Sequence, residues 1–577
     1  MSDVENLITD NIANWALAVQ KRNATGRGSS KKVELYGIKK LRELIRELAV
    51  RGKLVTQNPE DEPASALLNR IASEKAQLFE SKEIKKPRKF LDITENEKPF
   101  DIPAGWAWAR LEDIGREWGQ KKPDQQFTYI DVGAINKELG YISEPNILEA
   151  GEAPSRARKL VKEGTVIYST VRPYLLNIAV INQAFDPEPI ASTAFAILHP
   201  MGGMSGSFIY RYLRSPSFVK YVESCQTGIA YPAINDKQFF SGVIPVPPEA
   251  EQIRIDAKAQ ELMSLCDQLE QQTESSLTAH ATLVENLLAT LTSSIDAAEL
   301  EQNWLRIAEH FTTLFTTEES IDQLKQTVLQ LAVMGKLVPQ NPNDEPASVL
   351  LEKIAAEKAQ LIKEKKIKKH PKVQPIGGLG DLPSTWEKIV VQDFADIRLG
   401  STPSRTEPTY WNGEIPWVSS GEVAHEIIWD TKEKITPEGL SKSSTSIIPA
   451  RSLLMAIIGQ GKTRGQTALL GIDACTNQNI AAFVFNENFV VPEFVWIWAK
   501  SKYHAHRGGG HGGAQPALNG KKVRSFSFPL PPTDEQQRIV EKVDELLAIC
   551  NQLQTHLQQA QQTRLHLADA MVEGALS

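Results

Sequence analysis

The sequence predicts a mixed α/β (α+β) chain in which two strand-rich domains are held apart by long antiparallel coiled-coil helices, in a pseudo-twofold arrangement. Three observations predict it. Leu48–Lys86 recurs as Leu331–Lys369, with 28 of 39 residues identical at an offset of 283. A second pair of blocks, starting at Pro245 and Pro529, recurs at an offset of 284, so a whole half is duplicated rather than one motif. Within that pair the apolar residues follow a 4-3 spacing: Ile255, Ala259, Leu262, Cys266 and Leu269 in one copy, and Ile539, Val543, Leu546, Cys550, Leu553 and Leu557 in the other. That spacing is the seam of a coiled coil.

Residues 1–95 read as an N-terminal helical region, interrupted at 21–32 by KRNATGRGSSKK, whose glycines, serines and cations predict a flexible basic loop. The region ends in the basic run Lys82–Lys89, of a kind ordinarily found as a solvated helix end. Residues 96–248 form the first strand-rich domain, because short β-branched and aromatic runs are broken by Gly, Pro and Asn. A central helical region follows over 249–375, started by a Pro-Pro pair and by Glu249, an anion in the first turn where the helix dipole favours it. Unbroken from Pro248 to Leu288, it would make a rod on the order of 60 Å. It ends in a second basic run, Lys363–Lys372. The second strand-rich domain occupies 376–532, and a C-terminal helical region, with Asp534 in its first turn, occupies 533–577. The two domains open alike, PAGWAWARLEDIG and PSTWEKIVVQDFA, and close alike, Pro232-Ala-Ile-Asn235 and Pro516-Ala-Leu-Asn519. Their middles diverge almost completely. A duplicated frame around two different inserts implies one mechanical role for the frame and two different ligands for the inserts.

The 577 residues, 41% of them hydrophobic, suffice for several buried cores. MSDVENLITD is acidic rather than a basic stretch leading into an apolar run, and no segment is long and apolar enough to cross a bilayer, so a cytoplasmic location is expected. Cys225, Cys266, Cys475 and Cys550 lie far apart, which gives neither a zinc pair nor a disulfide framework and predicts buried thiols. A net charge of −7 argues against a chain that coats nucleic acid indiscriminately. Any nucleic-acid surface must be local.

Two stretches are locally basic. SRARKLVKEGTVIYSTVRPYLLNIAV holds Arg156, Arg158, Lys159, Lys162 and Arg172 against the single acid Glu163, and Lys500–Arg524 holds six Lys/Arg, three histidines and no acid. Such clusters are what a phosphate backbone requires. Tyr168, Tyr174, Asn177, Gln466, Asn477, Gln478, Asn479 and Gln515 are of the types that read base edges or stack on them. His504, His506 and His511 sit among five glycines with no cysteine or carboxylate nearby, a backbone too mobile to fix metal ligands, so no metal site is expected. Gly459-Gln-Gly-Lys-Thr463 ends like a phosphate-binding loop. Its first glycine is replaced by Ala456, however, and Arg464–Gly471 reads as a strand where that loop needs a helix. A P-loop-like NTPase therefore stands as an alternative, as does a coiled-coil scaffold with β-rich inserts that bind something other than DNA. Methyltransferase, nucleophile-elbow, zinc-protease and nuclease motifs are lacking, and a non-catalytic chain is expected.

With these residues in view, the chain resembles the specificity subunit of a type I restriction–modification enzyme along nearly its whole length. GSTPSR (Gly400–Arg405), IPWV (Ile415–Val418), GQGKTRG (Gly459–Gly465) and TNQNIAAF (Thr476–Phe483) resemble one flavour of target-recognition domain; TVRPYLLNIAV (Thr170–Val180) and ASTAFAIL (Ala191–Leu198) resemble another. The resemblance implies that each domain reads one half of a split double-stranded DNA target while the helices set the spacer. It further implies that two modification subunits dock on the helices and bring S-adenosylmethionine for adenine methylation. Two restriction/motor subunits would bring ATP and magnesium, and this chain would bind no cofactor. The DNA-binding residues then expected in the first domain are Arg156, Arg158, Lys159, Arg172, Tyr174, Asn177, Tyr231 and Asn235. Those expected in the second are Ser401, Thr402, Arg405, Lys462, Thr463, Arg464, Gln466, Asn477, Gln478, Arg507, His511, Gln515 and Asn519. By position Gly459–Gly465 falls where Arg172–Asn177 falls, so both are expected to be loops of the DNA-reading face.

Overall fold

The computed structural model describes residues 2–22, 32–137, 140–228, 231–295, 297–459, 463–508 and 518–576. Most of the expected loop at 21–32, residues 23–31, lies outside them; its ends, Gln20–Arg22 and Lys32–Glu34, pair as antiparallel strands. The chain divides into two compact units, residues 1–276 with 560–577, and residues 277–559. Two long helices, Glu249–Ser293 and Thr533–Leu576, each begin in one unit and end in the other.

The 4-3 seams are buried, and their partners lie within each unit. In unit 1, Ile255, Ala259, Leu262, Cys266 and Leu269 share a core with Ile38, Leu41, Leu44, Ile45 and Leu48 of the helix Tyr36–Val50, joined by Ala568 from the end of the second long helix. In unit 2, Ile539, Val543 and Cys550 pack with Ile321, Leu324, Val328 and Leu331 of the helix Glu318–Val333, with Leu546, Leu553 and Leu557 partly buried at the edge. Val284, Leu288 and Leu291, from the far end of the first long helix, complete that core. Each unit thus contains the start of one long helix and the end of the other. No helix among the described residues is long and apolar enough to cross a membrane.

The similar openings pair with the strands that lead into each Pro-Pro block, and the two together make a clasp. Ala107–Arg110 pairs antiparallel with Val243–Val246, Trp108 opposite Pro245; Glu387–Val390 pairs with Ser527–Leu530, Lys388 opposite Pro529. A short helical turn follows each opening strand, started by Asp113, whose carboxylate accepts from Arg110 N at 3.0 Å, and by Asp393, which accepts from Val390 N at 2.9 Å. Each closing Pro-Ala-x-Asn motif ends in a helix cap. The Asn235 side chain accepts from Gln238 N, and that of Asn519 accepts from Lys522 N, both at 2.9 Å, which satisfies a donor that a helix start otherwise leaves open.

Inside the clasps, the divergent inserts share a topology. The first holds a sheet in the order Ile178–Val180, Val166–Ser169, Phe195–Pro200, Gly115–Arg116. The second repeats it as Thr467–Leu470, Leu453–Ala456, Ile480–Val484, Asp396–Leu399, with Ile427–Ile428 added at the edge. A further sheet in each contains one parallel pair, Phe127–Ile130 with Pro189–Ser192 and Trp411–Val418 with Cys475–Thr476. Side-chain identity diverged while strand order was kept.

Candidate nucleic-acid interface

In the first insert the strands Val166–Ser169 and Ile178–Val180 form a hairpin, and residues 170–177 are its connection. In the second, Leu453–Ala456 and Thr467–Leu470 form the corresponding hairpin, connected by 457–466. Gly459–Gly465 therefore joins antiparallel neighbours. A phosphate-binding loop must lead into a helix whose N-terminus faces the phosphate, and here a strand follows, so the NTPase alternative loses its structural basis. Lys462 itself lies outside the described residues.

The first connection projects its chemistry outward. Arg172 is left-handed at φ 50 and Leu176 at φ 53, and they bracket the turn Pro173–Leu175. Tyr174 is 51% exposed and Tyr231 is 69% exposed, with the Arg172 guanidinium 4.9 Å from the Tyr231 ring centre. The loop is tied to the closing segment by Arg172 N donating to Pro232 O at 2.8 Å and by Ile234 N donating to Thr170 O at 2.9 Å. Arg172, Tyr174 and Tyr231 are thereby gathered on one exposed patch.

Of the other residues expected to read DNA in the first domain, Lys159, Asn177 and Tyr168 are buried instead. Lys159 is buried, its ammonium 2.8 Å from Asp236, so its charge serves an internal pair. Asn177 is 9% exposed, with its carbonyl accepting from Ser169 N, and Tyr168 is a core ring packed against Phe218 and Phe239. Arg156 is exposed, while Arg158 is half-buried and donates to Ala157 O. Asn235 is exposed, but its side-chain oxygen is occupied by the helix cap.

The second insert brings three of its motifs together. A Cβ on Gly400 would lie 1.9 Å from Thr476 O, so only glycine lets these segments meet. Ser401 N donates to Thr476 O, Thr402 Oγ1 to Gln478 Oε1 at 2.6 Å, and Trp417 Nε1 to Ser401 O at 3.1 Å. Arg405 stacks 3.8 Å from the Trp411 ring centre and forms a two-pronged pair with Glu433. Its guanidinium is therefore already engaged. Asn477 and Arg464 are buried, the first accepting from Asn479 N; Thr463 and Gln466 are half-buried and close a turn through Gln466 N and Thr463 O. Gln478 is exposed, and Asn519 caps its helix. His511 and Gln515 lie outside the described residues, as does the side chain of Arg507. Within Lys500–Arg524, Lys500 is stacked 3.6 Å from the Trp496 ring centre and burial pushes its ammonium down to about 8.

Sequence reasoning missed two residues here. His425, at φ 64, donates its N–H to Thr467 O and packs its ring 5.2 Å from Tyr503, joining the hairpin root to the helix Tyr503–Gly508. Trp429 is 68% exposed. Both are lone residues in the divergent middle, where no repeat or spacing marks them.

Residues 383–561 match the family model described as the type I restriction modification DNA specificity domain. Over the full length of both chains, the protein is 39% identical to the EcoAI specificity subunit and 37% identical to the EcoEI specificity subunit, both of type I restriction enzymes from Escherichia coli. A solved structure concerned with complex assembly and conformational transition of the type I R-M system covers 83% of this chain and 99% of its own at a TM-score of 0.50 and 21% identity, a likeness of fold. Full-length identity at this level, together with two inserts of one topology in a duplicated frame, shows that the chain belongs to the type I restriction enzyme specificity subunits.

Proposed function

We propose that this chain is the non-catalytic DNA-recognition subunit of a type I complex, each insert reading one half of a split target. The observation that carries this reading is the pair of corresponding hairpin connections, 170–177 and 457–466, set in matching sheets but differing in sequence. Matching strand topology around connections that differ in sequence is what two readers of different base sequences need, since base edges are distinguished by side-chain donors, acceptors and apolar contacts. Arg172, Tyr174 and Tyr231 are the reading residues of the first domain; Thr402, Gln478 and the 457–466 connection with Lys462 are those of the second. The long helices space the domains and dock two modification subunits, which hold S-adenosylmethionine and methylate adenine. Two restriction/motor subunits supply ATP- and magnesium-dependent translocation and cleavage, and this chain holds no cofactor. Its domain boundaries follow the frame, with recognition domains at 96–248 and 376–532 between helical regions.

The test is sequencing of methylated bases in DNA from cells expressing the chain with its modification subunit. The wild type is expected to give one split adenine-methylated motif. Arg172→Ala should relax only the half read by the first domain, and Lys462→Ala only the other. A motif that is not split, or one in which either variant alters both halves equally, would sink the reading.

A further inference from the structure

The residues just after each Pro-Pro pair do the same thing twice. Glu251, 1% exposed, accepts from Trp106 Nε1 at 2.9 Å and from Gln57 Nε2 at 2.7 Å. Beside it Gln252 accepts from Ser205 N at 2.8 Å and donates to Pro247 O at 3.1 Å, while Arg254 pairs with Asp61 at 2.5 Å. In the second half Glu535, also 1% exposed, accepts from Trp386 Nε1 at 3.0 Å and from Gln340 Nε2 at 2.6 Å. Gln536 accepts from Val491 N at 2.8 Å and donates to Pro531 O at 3.0 Å, and Arg538 pairs with Asp344 at 2.5 Å.

We propose that Glu251 and Glu535 are positioning residues that lock the angle of each recognition domain on its long helix and so hold the complex to one spacer length. The inference rests on the reading that each domain binds one half-site. A domain tied to the helix only through its closing prolines could swing about that link. The carboxylate adds a second fixed point, because Trp106 and Trp386 stand just before the opening strand of each clasp, and Gln252 and Gln536 add a third inside the insert. Fixing three separate points on a body removes its rotation.

Stability alone does not call for this arrangement. A buried carboxylate carries a desolvation cost, and well-packed apolar residues often serve a core as well or better, so specifying one geometry is the use that fits a charge retained in both copies. One base pair corresponds to about 3.4 Å along the duplex and about 35° of turn, so a reading domain must be held within that displacement and rotation for the complex to accept a single spacer.

The experiment uses the assembled modification complex and methylated-base sequencing, with a thermal melt of each complex. Glu251→Ala and Glu535→Ala are expected to keep both half-sequences while methylation at sites with spacers one base pair longer or shorter rises about tenfold. The double variant should spread further than either single one. Glu251→Gln, which can still accept from Trp106, should keep a single spacer. If Glu251→Ala fails to assemble, Trp106→Phe removes the same hydrogen bond with the aromatic packing kept, and the same broadening is expected. A single spacer in assembled Glu251→Ala or Trp106→Phe complexes overturns the proposal, as does an altered half-sequence. A wild type without a split motif would instead overturn the recognition reading beneath it.

Discussion

Arg172 and Leu176 hold left-handed backbone conformations that cost a residue with a Cβ about 1–3 kcal/mol each, and a chain keeps such strain only where its surroundings over-determine it. The hydrogen bonds from Arg172 N to Pro232 O and from Leu176 N to Pro173 O supply part of that determination, and the result is an exposed arginine beside an exposed tyrosine. Glu251 stores cost differently. Burial raises its carboxyl above the usual range, and burial does the same to Glu535, whereas hydrogen bonding from Arg254 holds the nearby Asp61 below its usual range. An acid whose folded pKa is raised contributes stability that is fully present below the unfolded value and is lost as pH rises through the folded one; Asp61 acts in the opposite sense, losing its contribution as pH falls. Glu251→Gln removes the first effect and leaves the second. Its melting temperature should therefore match the wild type near pH 4 and exceed it increasingly as pH rises beyond the ordinary Glu value of 4.5. Parallel thermal melts from about pH 4 to 7 check this, and a wild type that gains on the variant across that range would show the carboxylate to be net favoured.

Among the elements, the seams were the most legible in sequence, because a 4-3 apolar rhythm repeated at a fixed offset marks packed helices and little else. Their partners were not legible: nothing in the spacing says that Ile255 and Leu262 meet the helix Tyr36–Val50 inside one unit. The clasps were visible as like openings and a repeated Pro-Pro block, though not as paired strands. Within the inserts the sequence showed a basic cluster but could not tell which cations are satisfied, since Lys159 meets its acid 77 residues away. It likewise could not separate the exposed tyrosine Tyr174 from the core tyrosine Tyr168, six residues apart on the same run. The seam cysteines offer a test. Burial raises the Cys266 and Cys475 thiols to about 11 and raises those of Cys550 and Cys225 as well, so exposure separates them: the first three are buried, whereas Cys225 is half-buried. Thiolate is the reactive form, so maleimide labelling of the folded protein at pH 7.5, read by peptide mass spectrometry, should modify Cys225 first and the other three at least about tenfold more slowly. Early labelling of Cys266 or Cys550 would mean that the seams open in solution.

Across the whole molecule, one frame carries two inserts that share a sheet topology but not a sequence. In part this is because the frame often grips backbone rather than side chains. Lys75 donates to the carbonyls of Glu112 and Gly115, and Lys358 to that of Gln392. Gln252 and Gln536 take main-chain N–H groups from Ser205 and Val491. Peptide groups are present whatever the side chain, so such contacts survive divergence of the insert. Some contacts are private to one half, such as Arg88 with Glu112 and Glu117, and Arg211 with Asp256. In each set one partner is buried, Glu112 in the first and Arg211 in the second, so an exchanged insert that lacks them leaves Arg88 and Asp256 without these contacts. The clasps have the same four-residue register, so an insert cut just inside one should fit the other. Replacing residues 111–242 with 391–526 is therefore expected to give a folded chain in which both halves of the methylated motif become the sequence read by the second domain, arranged as an inverted repeat. The change is read by methylated-base sequencing of cells carrying the chimera and the modification subunit, with circular dichroism of the purified chain to establish folding. A folded chimera that still methylates the original first half-site would locate base reading outside the inserts, and a folded chimera that methylates no motif would mean that the private contacts, not the shared frame, set the reading geometry.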